Sequence, residues 1–417
     1  MRMTKGNNIR EYGSHSVRYL AVQALVQILE KSRKADMVLE GLSIGLEPRD
    51  RGLLCELVLG VLRRFFSLEA DFSRFLKQKP EAEARMTLLI GAYQLRYMRV
   101  PTHAAVSECV NVMKAIQPHA SGMINAVLRK VANSDMPSKL KPHQRAELPK
   151  WTYAEWREAW GAEVVQKFCE VMQTPSPLCV AVLGDRDAWL EQVKTVGIEA
   201  EVGEHSPYAV LLASGTNVSA LPGFAEGAFT VMDQAAQMAV MALDAPKAGV
   251  ILDICAAPGG KTALLAHRFP DADIIAIELN AKRIPRLQEN LQRLGVQNAQ
   301  VMQANGLNLP MMDEAVDAIF LDAPCTASGI FRRHPDAKFI HDKQAVLNIT
   351  MIQKGLLQES LRVLKSNAPM VYAVCSIHPD ENDAIVSSIV DGYQSQRLYP
   401  TASHDGFFWA NIHKNMV

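Results

Sequence analysis

The stretch after Phe229 limits the possible folds most. Short apolar runs at 250–254, 273–277, 316–321 and 370–374 alternate there with amphipathic stretches at 260–268, 281–294, 348–364 and 380–391. Strands that alternate with helices need crossover connections, which build a parallel sheet covered by helices on both faces. The spacing predicts an α/β doubly wound, Rossmann-like domain. In such a sheet, ligands bind beyond the C-terminal ends of the strands. Chemistry-bearing residues are therefore sought just past each apolar run.

Upstream the periodicity is helical. Val17, Leu20, Ala21, Ala24, Leu25, Ile28 and Leu29 recur at three- and four-residue steps, and Leu54, Leu57, Val58, Val61, Leu62 and Phe65 make a second stripe. Asp50 is expected to cap the helix that carries this second stripe. Segments 86–98, 103–115 and 121–131 repeat the pattern, so an all-α N-terminal domain is expected. Arg63, Arg64, Arg129 and Lys130 fall near helix C-terminal ends, where they favour the dipole. Residues 133–150 turn polar, with Pro137, Pro142 and Pro149, and read as a linker. Residues 151–225 combine helices rich in Trp and Glu with short strands around Cys179–Leu183 and Ala209–Leu212, which suggests a small α+β unit. The expected domains are 1–140, 150–225 and 226–417.

A net charge of zero conceals a surplus of +10 in residues 1–150 and a deficit of −10 in the remainder. A basic arm of this kind suits a polyanion, although uneven solvated surfaces produce the same imbalance. No apolar run reaches the length of a membrane span. The seven cysteines lack both a disulfide framework and a C-x-x-C metal pair. A soluble cytoplasmic protein without membrane or metal partners is expected.

Three strand ends carry the chemistry. The first runs into Cys255-Ala256-Ala257-Pro258-Gly259-Gly260-Lys261, where glycines allow close backbone approach and a helix N-terminus favours negative charge. Its Gly-Gly-Lys-Thr tail lacks the earlier glycine of a phosphate-binding loop, and the G-x-G-x-x-G fingerprint is missing. Glu278, at the second strand end, can accept hydrogen bonds from both hydroxyls of a ribose or can cap the next helix. A Gly-rich turn followed by such an acid matches S-adenosylmethionine enzymes of this sheet type.

The later strand ends deliver Asp322-Ala323-Pro324-Cys325 and Cys375-Ser376. Cys55, Cys109, Cys169 and Cys179 sit in apolar contexts and read as small buried hydrophobes. Cys325 and Cys375 lie on the ligand edge beside an acid. A thiolate that adds to carbon 6 of a pyrimidine turns carbon 5 into an enamine-like nucleophile able to take a sulfonium methyl group. An acid at N3, here Asp322, stabilises that adduct, and a second thiol can serve its breakdown. Arg332 and Arg333 follow closely and could hold RNA phosphates or simply be exposed.

These residues are now recognisable. L-D-I-C-A-A-P-G-G-K-T at 252–262, L-D-A-P-C-T-A-S-G at 321–329, R-R-H-P-D at 332–336 and Y-A-V-C-S at 372–376 resemble the RNA cytosine-5 methyltransferases of the Nol1/Nop2/Sun family. H-D-G-F-F at 404–408 resembles the family's closing strands. R-D-R-G-L-L-C-E-L-V-L-G-V-L-R-R at 49–64 and I-N-A-V-L-R at 124–129 resemble the helical RNA-binding domain of the antitermination factor NusB. The resemblance implies an S-adenosylmethionine-dependent enzyme acting on 16S ribosomal RNA or a small-subunit precursor. It implies Cys375 as nucleophile, Cys325 in release of the methylated base, and Cys255 to Lys261 around the cofactor. Glu278 would hold the ribose, Asn305 the adenine, and Asp322 would sit near the methyl group and the base.

The chain departs from the family at Val374 (usually Thr), Asn305 (usually Asp), and Ala181 and Leu183 (usually Arg and Asn). Met232, within Val231-Met232-Asp233, stands where Gln is usual. An RNA-binding assembly factor with little or no activity is the alternative these departures raise.

Overall fold

Ser16 opens the first described helix by accepting the Tyr19 amide at 3.2 Å, and the apolar stripe that follows is buried as the periodicity predicts. The structure, a computed structural model, describes residues 16–414. The chain divides into two units. One comprises the chain through Thr174 together with Phe331–His341, and the other Pro175–Ile330 together with the chain from Asp342 onward.

The first unit is helical, with helices Val17–Leu29, Ala35–Leu42, Pro48–Arg63, Phe65–Ser73, Ala82–Tyr97, Thr102–Ile116 and Ser121–Ala132 around one apolar core. Asp50 does not cap its helix. The chain enters from Glu47 with Pro48 at the first position, where a missing N–H costs nothing, and Asp50 lies in the first turn. The expected linker is also partly structured. It contains the short helix Pro142–Arg145, and Ala146, Glu147 and Leu148 are buried. Glu147 accepts the Phe66 amide at 2.8 Å and the Ser67 amide at 3.2 Å, capping helix Phe65–Ser73 from a distance in sequence.

The segment Phe331–His341 belongs to this unit because of its aromatic and buried residues. Phe331 stacks on Trp156, Phe339 packs against Phe65 and Phe66, and Lys338 donates to the Glu147 carbonyl at 3.0 Å. Arg332 is buried, and its carbonyl accepts from Arg63 at 2.9 Å. It therefore cannot serve as the exposed phosphate contact considered from sequence, because its side chain is folded into a core.

The second unit holds two sheets. In the smaller, β1 (Leu178–Val182), β2 (Ala200–Val202), β3 (Ala209–Leu212) and β4 (Phe229–Val231) pair antiparallel in the order β2-β3-β1-β4. In the larger, β5 (Ala248–Ile254), β6 (Asp271–Glu278), β7 (Ala299–Gln303), β8 (Ala318–Asp322) and β9 (Pro369–Val374) are parallel. The antiparallel pair β10 (Tyr393–Leu398) and β11 (Phe407–His413) closes one edge, giving the order β10-β11-β9-β8-β5-β6-β7. H-D-G-F-F leads into β11, as the resemblance implied. Of the helix expected at 380–391, only Asp383–Val386 forms. Pro379 to Glu381 make a 3-10 turn, and Asn382 spends its side-chain amide on the Ser376 carbonyl at 2.9 Å.

Ala181 and Met232 of the smaller sheet's region pack into the core that covers Ile251, Ala318 and Ala373 of the larger. Ala181, one of the departures from the family, is thus a core residue. Among the described residues, no helix is long and apolar enough to cross a membrane, and no cluster of His, Cys, Asp and Glu could hold a metal ion.

Candidate functional site

The register of the parallel strands brings the sequence-derived residues to one edge. Ile254 pairs with Leu321, Glu278 with Gln303, and Asp322 with Ala373, so the chain leaves β5, β6, β8 and β9 on the same side of the sheet. Cys255 to Lys261 follow β5, Glu278 ends β6, Asp322 ends β8, and Cys375 follows β9.

The loop after β5 is shaped by backbone demands. Cys255 has φ 67° and Gly259 φ 101°. A Cβ on Gly259 would lie 2.7 Å from a Leu287 methyl, so this position needs glycine for both conformation and space. Arg283 donates to the Ala257 carbonyl at 2.5 Å and Asn290 to the Pro258 carbonyl at 2.8 Å, fixing the loop from the next helix. Burial, with the negative charges of Asp322, Glu278 and Asp253, pushes the Cys255 thiol up to about 12, so Cys255 lines the loop as a neutral group.

Acids surround this loop. Glu278 is buried; its Oε1 accepts the Asn280 amide at 2.9 Å, and its Oε2 lies 3.1 Å from Arg283 without an aligned hydrogen bond. Glu278 therefore does not cap the next helix, Ile284–Arg293, which starts from Arg283 without a side-chain cap; it fastens only the turn at Asn280. Asp253 is fully buried. Thr262 donates to its Oδ2 at 2.5 Å, while Oδ1 has no hydrogen-bond partner. Burial raises the Asp253 carboxyl to about 7, despite the Thr262 hydrogen bond. Lys261 pairs with Asp322 at 2.7 Å. Burial pulls the Lys261 ammonium down, but Asp322 outweighs it and the net shift is upward.

The two cysteines meet. Cys325 Sγ and Cys375 Sγ are 3.3 Å apart although 50 positions separate them. The hydrogen bond with Cys375, burial, and the charges of Cys375 and Glu381 push the Cys325 thiol well up, so it is held protonated. Lys261 lies near enough for its charge to interact with Cys375. Asn305 follows β7 by two residues. It is exposed, and its side-chain oxygen accepts the Leu307 amide at 3.0 Å within its own loop.

Sequence reasoning missed the residues that fasten these loops. Thr326, Ser328, Gln353, Ser376 and Glu381 are all buried and hydrogen-bonded to one another around the cysteines. Nothing in a single sequence separates such residues from ordinary loop Ser, Thr and Glu, apart from their position next to the two cysteines. Among the departures, Val374 ends β9 fully buried. Asp233 caps helix Gln234–Met241 and accepts the Asp405 amide at 3.0 Å, so that acid has a structural task.

Three family descriptions match the chain: "16S rRNA methyltransferase RsmB/F" over residues 240–415, "NusB family" over 15–133, and "Methyltr_RsmF/B-like, ferredoxin-like domain" over 148–219. Ribosomal RNA small subunit methyltransferase B of Klebsiella pneumoniae subsp. pneumoniae is 34% identical over 426 residues, covering 96% of this chain and 98% of the relative. The protein of the same name from Proteus mirabilis is 34% identical over 420 residues, covering 96% and 99%. The crystal structure of a methyltransferase homolog protein from Pyrococcus horikoshii aligns with TM-score 0.58 at 25% identity, covering 66% of this chain and 99% of that one. The crystal structure of PH0851 shares the fold with TM-score 0.79 at 17% identity, covering 94% and 98%.

Proposed function

Because the chain belongs to the 16S rRNA methyltransferase RsmB/F family, we propose that it methylates carbon 5 of a cytosine in 16S ribosomal RNA, with S-adenosylmethionine as methyl donor. The single observation that carries this reading is the 3.3 Å approach of Cys325 and Cys375 beside Asp322 on the ligand edge. A C5 methylation of a pyrimidine requires a thiol nucleophile and an acid near N3, and a second thiol can serve the breakdown of the adduct, whereas a methylation at an exocyclic amine needs neither thiol.

The residues around the loop after β5 fit the donor. A glycine at φ 101° that no side chain can replace, small Ala256 and Ala257, and a buried Glu278 with a spare oxygen suit an adenosine and its ribose. In the proposal Cys255 to Lys261 and Glu278 hold the donor, and Asn305 faces the adenine. When bound, S-adenosylmethionine supplies an electrophilic methyl group. Cys375 adds its sulfur to carbon 6 while its proton passes to N3, and the Asp322 carboxylate, ion-paired with Lys261 at 2.7 Å, accepts the N3–H and stabilises the adduct. Once carbon 5 carries the methyl group, Cys375 is a thioether that no longer holds Cys325 protonated through its charge or hydrogen bond, and Cys325 serves the loss of the carbon-5 proton. The bond from carbon 6 to Cys375 then breaks, which restores the aromatic ring. The target base must leave its stack to reach these groups.

The NusB-like helices, over residues 1–140 as drawn from sequence, are assigned to RNA docking, 150–225 to an RNA-facing subdomain and 226–417 to catalysis, with the cytoplasm as the place of work. The test is to incubate the protein with labelled S-adenosylmethionine and unmodified 16S RNA, or immature small-subunit particles, and identify the labelled nucleoside. Label in 5-methylcytidine is the expected outcome; label in another nucleoside, or in none from either substrate, overturns the reading.

A further inference from the structure

The most heavily bonded carboxylate near the two thiols touches neither of them. Glu381 is fully buried in the 3-10 turn after β9. Its Oε2 accepts the Thr326 amide at 2.8 Å and the Gln353 side-chain amide at 3.1 Å. Its Oε1 accepts the Ser376 hydroxyl at 2.7 Å and also the Thr326 hydroxyl. Thr326 directly follows Cys325, and Ser376 directly follows Cys375. One carboxylate therefore grips the residue next to each thiol.

The surrounding bonds extend the clamp. Gln353 also donates to the Pro324 carbonyl at 2.8 Å, and the Tyr372 hydroxyl donates to the Glu381 carbonyl at 3.0 Å. Ser376 Oγ accepts the His378 amide at 3.0 Å and lies 2.8 Å from Ser328 Oγ, which accepts the Ile377 amide at 3.0 Å. The Gly329 amide donates to the Cys375 carbonyl at 3.1 Å, and a Cβ on Gly329 would lie 3.0 Å from that same carbonyl oxygen. The two loops, 50 residues apart, touch without slack. A carboxylate offers acceptor sites only, so it can satisfy four converging donors where an amide cannot.

We propose that Glu381 is a positioning residue that sets the spacing of Cys325 and Cys375 by bridging Thr326 and Ser376. This rests on the methyltransferase reading for its purpose, but the geometry can be tested without RNA. The oxidant diamide takes two electrons and two protons from a pair of thiols as their S–S bond forms, and is itself reduced to the hydrazine. Closure of Cys325–Cys375, followed by mass spectrometry of peptides, reports how often the sulfurs come within bonding range.

In Glu381→Gln, closure is expected to slow by about ten-fold or more while S-adenosylmethionine binding stays within about two-fold. In RNA methylation, kcat per folded protein, counted by S-adenosylmethionine binding, should fall by at least about ten-fold at little-changed KM; counting folded molecules removes the loss that a merely destabilised protein would show. Ser376→Ala removes one arm of the bridge and should slow closure to an intermediate rate. It decides the matter if Glu381→Gln folds poorly. Closure at the wild-type rate in the folded variants overturns the proposal, whatever methylation does. Absence of methylation by wild-type protein, with closure slowed in the variants, strikes the function reading and leaves the positioning role standing.

Discussion

Glu147 in the helical unit and Glu381 in the catalytic unit are buried to almost the same degree, at 3% and 0% exposure, yet their surroundings are opposite. Glu147 caps a helix and is compensated by a cation, Lys338, that is itself buried and whose ammonium is lowered to about 8 by burial. Burial likewise raises the Glu147 carboxyl, with Lys338 opposing that rise. Glu381 is satisfied by uncharged amides and hydroxyls from three separate segments. The first arrangement couples two charges and stabilises only while both are present. The second fixes loop geometry with neutral donors and leaves the local charge to the reacting groups. Burial of a carboxylate thus says little until its partners are named.

The comparison can be broken most directly at Lys338. Lys338→Met leaves Glu147 without its cation and should cost about 3–5 kcal/mol in denaturant unfolding, whereas Lys338→Met with Glu147→Gln should recover most of that loss. Equal losses in the single and double variants would show that the two charges are not coupled.

A smaller effect is expected at Asp253, a third buried carboxylate, which lacks both a cation in contact and a full set of donors. Its carboxyl titrates near 7 in the folded protein against about 4 unfolded. A raised folded value means that the neutral form is favoured by folding. Its stabilising contribution is therefore complete below about pH 4 and is lost as pH rises through about 7. Asp253→Asn should flatten the decline in stability between these values, worth about 2–4 kcal/mol, as measured by thermal unfolding across pH.

Glu381→Gln should cost less stability, about 1–3 kcal/mol, despite its large effect on turnover. The smallest change is expected from Cys169→Ala, in the helical unit's interior. That thiol is fully buried and pushed up by burial, so it acts as a small apolar group. About 1 kcal/mol should be lost with methylation intact, measured by unfolding and by turnover.

What the sequence conveyed follows from the range of each signal. Periodicity is local, so the helix Val17–Leu29 and strands β5, β6, β8 and β9 emerge within a few residues of their observed ends. The strand-end rule then places Cys325, Cys375 and Asp322 together without any knowledge of distances. Long-range satisfaction is invisible to such reasoning. Glu147 sits in a polar, proline-punctuated stretch that reads as a linker, and its burial is explained by the Phe66 and Ser67 amides 80 or so positions away and by Lys338, more distant still. Arg332 looks like a basic pair member but is folded inward with Phe331. Glu381, in Pro-Asp-Glu-Asn, resembles the first turn of a helix, and its partners come from Thr326 and Gln353, both distant in sequence.

The central claim is that the two thiols divide the work, one bonding the base and the other serving its release. The decisive measurement is a denaturing gel of Cys325→Ala and Cys375→Ala after incubation with S-adenosylmethionine and the RNA substrate. The account expects Cys325→Ala to accumulate a covalent protein–RNA band and Cys375→Ala to show neither band nor methylation while still binding the cofactor. A band in Cys375→Ala, or none in Cys325→Ala, would contradict it.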